Sequence, residues 1–165
     1  MRINNFFKLV IAVAVSEAAG VIGSFFTISA IPAWYAGLIK PALNPPARVF
    51  GPVWTALYAF IGVSFFLVWK QQSNILENVR MLRTWKIGAA AFFTQLFLNA
   101  VWSIIFFGLQ SPGWAFVDIA LLWLAIIWTM VMFYKISRPA AYLLIPYFLW
   151  VSFAAYLNFS IWMLN

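Results

Sequence analysis

The sequence predicts an all-α integral membrane protein, a five-transmembrane-helix bundle with a Pro-rich lid loop between helices 1 and 2. Three observations lead there. Hydrophobic residues make up 66% of the 165 residues and charged residues only 8%, whereas roughly a quarter of a soluble domain is charged. Five apolar runs are each long enough to cross a hydrocarbon core, which takes about 20 helical residues. Between the first two runs lie Pro41, Pro45 and Pro46, with Pro52 at the start of the second, each of which fixes φ, removes a backbone donor and disfavours helix at the residue before it. With short loops the five spans use up the chain, so residues 1–165 are expected to form one five-helix membrane domain, with spans near 6–31, 49–69, 85–107, 114–134 and 140–163.

The first span begins with Arg2 and Lys8 ahead of an apolar core, and Ala14, Val15 and Ser16 are similar to a signal-peptide cleavage site. Apolar residues continue for a further span length, which favours a retained helix. Ala12, Ser16, Gly20 and Ser24 recur every fourth residue, a small-residue ridge on which another helix can pack closely. The lid follows, dense in aromatic residues and prolines, and is expected to be extended or turned over most of its length. It feeds a second span that carries Trp54 and Tyr58 on one face at i, i+4 and closes at Lys70. A loop through Glu77, Arg80 and Arg83 has room for a brief interfacial helix. Between the third and fourth spans, Gly108, Pro112 and Gly113 mark a tight turn and an antiparallel hairpin. Lys135 and Arg138 occupy the short loop before the fifth span, where Pro146 is expected to kink the helix.

Flanking charge sets the expected orientation. Arg2, Lys8, Lys70, Arg80, Arg83, Lys86, Lys135 and Arg138 lie on the N-terminal side of the bundle, and only Lys40 and Arg48 on the lid side. In a bacterial cell membrane that asymmetry places the N-terminus in the cytoplasm and the lid outside. It also accounts for the net charge of +7: the cations are scattered around the spans and make no basic stripe, so no nucleic-acid partner is expected. The chain has no Cys and no His, which removes thiol nucleophiles, disulfides and the imidazole routes to a metal or to a neutral-pH base. No metal and no obligatory cofactor is expected, and no hydrolytic or acid-base set is evident.

The polar residues that do enter the spans are few. Glu17 and Asp118 are the acids at membrane depth, where ionisable groups are costly and usually face the bundle interior. Both a structural and a functional role fit them. Gln95, Asn99 and Trp102 fall at i, i+4 and i+7 of the third span, so two amides and an indole N–H share one stripe, which suits helix bonding or ligand contact equally. Tyr147, Trp150, Ala154 and Asn158 form one face of the fifth span. Of ten tryptophans, Trp69, Trp85, Trp114 and Trp162 lie near span ends, as interfacial belt residues do, and Trp123 and Trp128 are mid-helix. Trp34, Trp54, Trp102 and Trp150 remain, each combining flat apolar area with an N–H donor suited to a large planar ligand with a polar edge.

Several of these residues also carry a resemblance. Trp34-Tyr35, Leu38, Lys40-Pro41, Pro45-Pro46, Val49-Phe50, Val53-Trp54-Thr55 and Leu57-Tyr58 resemble the signature of the translocator protein family, also called tryptophan-rich sensory proteins or the peripheral benzodiazepine receptor family. Gln95-Leu96, Leu98-Asn99 and Trp102-Ser103, then Pro146-Tyr147, Trp150, Phe153-Ala154 and Leu157-Asn158, fit the same family in chain order. The resemblance implies a bacterial membrane receptor or regulator that binds porphyrins such as protoporphyrin IX in a pocket under the 32–52 lid, and also isoquinoline-carboxamide or benzodiazepine-type ligands. It implies a ligand-binding set of Trp34, Tyr35, Trp54, Tyr58, Gln95, Asn99, Trp102, Tyr147 and Trp150, with Trp54, Asn99 and Trp150 foremost, and a homodimer in membrane lipid. Transport of tetrapyrroles, lipids or sterols is the alternative, as is light-dependent porphyrin breakdown with Trp54 and Trp150 as the catalytic candidates. The family's eukaryotic members carry a sterol-recognition pattern at the end of the fifth helix. Here no Lys or Arg follows Tyr156.

Overall fold

The computed structural model describes residues 4–75 and 77–165; Arg2, one of the cations counted above, and Leu76, in the loop after the second span, lie outside the described residues. Five helical segments are long and apolar enough to cross a membrane, and the described residues contain no strand. Helix α1, Asn5–Ala30, is capped by Asn4, whose Oδ1 accepts from the Phe6 amide at 3.2 Å. The same rod continues through a wide π turn at Ile31–Tyr35, which falls where Pro32 has no N–H for the regular ladder. Trp34 and Tyr35 therefore stand on the end of a helix, and the non-helical lid is confined to residues 38–46.

Helix α2, Ala47–Trp69, holds Pro52 in its second turn. There the missing N–H leaves only the Arg48 carbonyl without its i+4 partner, so the helix survives the proline that was expected to belong to the lid. After the brief α3, Gln72–Ile75, α4 spans Val79–Ser103, and Asn78 Oδ1 accepts from the Met81 amide at 3.0 Å. This N-cap starts the helix six residues before the expected Trp85 and sets Arg80, Arg83 and Lys86 on its first turns. A second π turn, Ile104–Gly108, leads into a reversal in which Gln110 takes φ 51°. Helix α5 covers Pro112–Tyr134. The last span is broken into α6, Arg138–Leu143, and α7, Ile145–Leu164, because Pro146 cannot donate to the Tyr142 carbonyl.

The helices close into a ring in the order α1, α2, α6 with α7, α5, α4 and back to α1. Small residues set how closely they approach. A Cβ on Gly62 would lie 2.5 Å from Val13 Cα, and one on Gly23 would lie 2.8 Å from Ser103 Oγ, so α1 rests directly on α2 and α4. The buried ridge of α1 is Ala12, Ser16, Ala19 and Gly23. A spacing of four drifts about 40° per step from the 3.6-residue turn, so Gly20 and Ser24 rotate toward the cavity instead. Ser64 Oγ donates to the Ala140 carbonyl at 2.7 Å, and Trp123 Nε1 donates to Ser152 Oγ at 2.9 Å, fastening α2 to α6 and α5 to α7. Phe65, Phe92 and Phe133 stack with centroids 4.3 Å and 6.1 Å apart and fill the half of the bundle away from the lid. Phe25, Phe97 and Trp114 point outward and exposed, as expected where the solvent is hydrocarbon or its interface.

Candidate ligand-binding site

The lid half of the bundle encloses a cavity of about 520 Å³, walled by α1, α2, α4 and α7, within the roughly 300–1,000 Å³ typical of small-molecule sites. Space exists there because Gly20, Gly23, Ser24, Gly51 and Ala154 present little or no side chain. Trp54, Trp102 and Trp150 supply flat walls. Trp54 is stacked on Tyr58 with centroids 5.5 Å apart, and Phe50 meets Trp150 edge-on at 6.0 Å.

One hydrogen-bond chain closes the floor. The Tyr58 hydroxyl donates to Asn99 Oδ1, Asn99 Nδ2 donates to the Tyr147 hydroxyl at 3.0 Å, and Tyr147 donates to Gln95 Oε1 at 2.8 Å. Spacing by three and four residues puts Gln95 and Asn99 on the α4 face that meets α2 and α7. On another side, Trp102 Nε1 donates to Asn158 Oδ1 at 2.9 Å, and Asn158 Nδ2 donates to the Pro112 carbonyl at 2.7 Å. Buried without a partner are Gln95 Nε2, Asp118 Oδ2 and Trp150 Nε1. Of these three residues only Trp150 borders the cavity. A buried donor left unpaired costs free energy that a ligand acceptor would recover.

The lid is tied down at several points. Tyr35 donates from its hydroxyl to Asn44 Oδ1 at 2.8 Å. Lys40 Nζ lies 4.8 Å over the Tyr35 ring and donates to the carbonyls of Ala36 at 3.2 Å and Leu38 at 3.0 Å. The side-chain amide of Asn165 pairs with both backbone groups of Ile39, each at 3.0 Å.

Of the residues named from sequence, Tyr35, Trp54, Tyr58, Asn99, Trp102 and Trp150 line the cavity. Gln95 and Tyr147 are fully buried behind Asn99 as members of its network. Trp34 stands outside. It packs edge-on against Phe106 at 5.5 Å and borders a second, more open pocket with Trp114 and Trp162, since adjacent helical positions point about 100° apart. Glu17 lines the cavity, whereas Asp118 is buried elsewhere at 6% exposure. The sequence reading treated Arg48 only as a flanking charge, yet it also lines the cavity. Arg48, Gly51 and Tyr58 share a face at i, i+3 and i+10, a pattern visible only once α2 is known to begin at Ala47.

The pattern of the TspO/MBR family matches residues 12–163. The tryptophan-rich protein TspO of Archaeoglobus fulgidus is 44% identical over 161 residues, covering 98% of this chain and 99% of that one. A protein of the same name from Chlorobaculum tepidum is 42% identical over 95% of each chain. The human translocator protein is 41% identical over 78% of this chain and 73% of its own. A match over nearly all of its length, running through the helices that build the cavity, makes this chain a membrane protein of the TspO/MBR family.

Proposed function

We propose that the protein is a membrane receptor and regulator that binds protoporphyrin IX-like tetrapyrroles in the Trp-lined cavity beneath the lid, and that the same cavity takes isoquinoline-carboxamide or benzodiazepine-type ligands. The observation that carries this reading is the cavity itself: three indoles around a space of about 520 Å³, with the Trp150 N–H buried and unpartnered at its edge. Trp54, Trp102 and Trp150 act as flat walls for a macrocycle, the Tyr58–Asn99 pair offers a polar edge, and Tyr35 with the lid covers the ligand. Gln95 and Tyr147 hold Asn99 in place. The protein works as a homodimer in a bacterial cell membrane, with its N-terminus cytoplasmic and the lid outside.

Light-dependent porphyrin breakdown is a second reading, favoured by the placement of Trp54 and Trp150 on the same cavity. An excited porphyrin supplies the reactive state and the adjacent indoles serve as its redox partners. The test is porphyrin affinity in the dark and porphyrin loss under light, for the parent, Trp54→Phe and Trp150→Phe. A phenyl ring keeps most of the stacking area, so dark affinity falls by only about 1 kcal/mol. Light-dependent loss abolished at near-normal affinity supports breakdown, and no loss in the parent removes it. Absence of dark binding in the parent contradicts the receptor reading.

A further inference from the structure

We propose that Arg48 selects ligands that carry a carboxylate and orients them with that carboxylate toward the lid. This rests on the tetrapyrrole reading above and specifies which edge of the ligand faces which end of the cavity.

Among the residues lining the cavity, Arg48 is the one cation and Glu17 the one acid, and they stand at opposite ends. Arg48 is in the first turn of α2, beside the lid. Tyr58, ten residues and about 15 Å further along the helix, meets α1 at Gly20, one turn from Glu17. The charge pattern is therefore directional: a carboxylate at the lid end meets a guanidinium, and one at the floor meets the Glu17 carboxyl, with no second cation among the lining residues. Apolar walls between the two ends hold the planar body.

Three further features favour Arg48 over the rest of the mouth. Lys40, the other cation on this side, is committed to the carbonyls of Ala36 and Leu38 and to the Tyr35 ring. Pro46, at the N-cap of α2, supplies no side-chain cap, so the positive end of the α2 dipole is left beside Arg48 and adds to the positive potential there. Guanidinium geometry also suits a carboxylate, which it can grip with two parallel hydrogen bonds. Because Arg48 is exposed, its replacement leaves the packing of the bundle undisturbed.

The experiment titrates purified full-length protein in the dark, by tryptophan quenching, with protoporphyrin IX and separately with its dimethyl ester, which keeps the macrocycle and removes both negative charges. Parent, Arg48→Gln, Arg48→Lys and Glu17→Gln are compared. The expected result is that the parent prefers the diacid. Arg48→Gln should lose about tenfold in diacid affinity, in line with a hydrogen-bonded charge pair, and should leave the ester unchanged, with Arg48→Lys in between. Equal effects of Arg48→Gln on diacid and ester, or no effect on either, overturn the assignment. So does a diacid affinity that rises in Glu17→Gln while Arg48→Gln leaves it unchanged, which would place the carboxylates at the floor beside the Glu17 carboxyl. A parent that binds both forms equally overturns this inference and leaves the tetrapyrrole reading standing. A parent that binds neither removes both.

Discussion

Asn99 of α4 donates to the Tyr147 hydroxyl of α7 at 3.0 Å while its own Oδ1 accepts from Tyr58 of α2. One amide thus joins three helices at the floor of the cavity, and Gln95 anchors the chain by accepting from Tyr147. Removing the central hydroxyl leaves Gln95 Oε1 and Asn99 Nδ2 unpaired in an apolar interior. Tyr147→Phe should therefore destabilise the protein by about 1–2 kcal/mol, read as a lower midpoint of thermal unfolding in detergent. An unchanged midpoint would mean that the network does not tie the helices together.

Two glycines on facing helices should respond differently to the same added methyl group. At Gly62 the new Cβ runs into the backbone of Val13, which cannot rotate away, so Gly62→Ala should push α1 off α2 and cost about 1–3 kcal/mol. At Gly20 it meets the Tyr58 ring, which borders the cavity and must shift into it. Gly20→Ala should accordingly lower porphyrin affinity more than it lowers the unfolding midpoint. Equal effects of both variants on both measurements would contradict this division.

The lid is fastened by Asn165, whose amide mimics a backbone pairing partner for Ile39, and stiffened by Pro41, Pro45 and Pro46. Asn165→Ala, or all three prolines replaced by Ala, should speed ligand release severalfold while leaving association nearly unchanged. Stopped-flow dissociation measures this directly. Unchanged release from a folded protein would reduce the loop to a connector.

Eight cations flanking the spans in the sequence on the N-terminal side, against two on the other, set the expected topology. In a bacterial inner membrane, a reporter fused after Asn165 should read extracytoplasmic and one inserted between Ser73 and Asn74 cytoplasmic. Opposite readings at both sites would invert the orientation, and the lid and its cavity would then face inward.

The spans were legible because apolar length is a property of the sequence alone, and so was the break at Pro146, which follows from one missing donor. The lid was misjudged at both ends for a shared reason. A π turn carries α1 on past Pro32, and Pro52, counted among the lid prolines, costs α2 a single hydrogen bond near its start. Those boundaries decide which side chains face inward: continuing α1 to Tyr35 turns Trp34 away from the cavity, and starting α2 at Ala47 brings Arg48 into it. Pairings across helices, such as Tyr58 with Asn99 and Trp102 with Asn158, were visible only as polar stripes. A stripe shows that a helix face is polar and leaves its partner unnamed.

The most direct test of the cavity as the tetrapyrrole site is a dark titration of the purified protein with protoporphyrin IX, followed by tryptophan quenching, beside a variant in which the cavity is filled. Ala154 lines the cavity on α7, and Ala154→Phe would place a ring in that space without removing a hydrogen bond. The parent should show saturable, single-site quenching. The variant should bind at least about tenfold more weakly, the order expected when a shaped apolar site is blocked, with its unfolding midpoint preserved. Absence of saturable quenching in the parent, or equal affinity in Ala154→Phe, would contradict the assignment of this cavity.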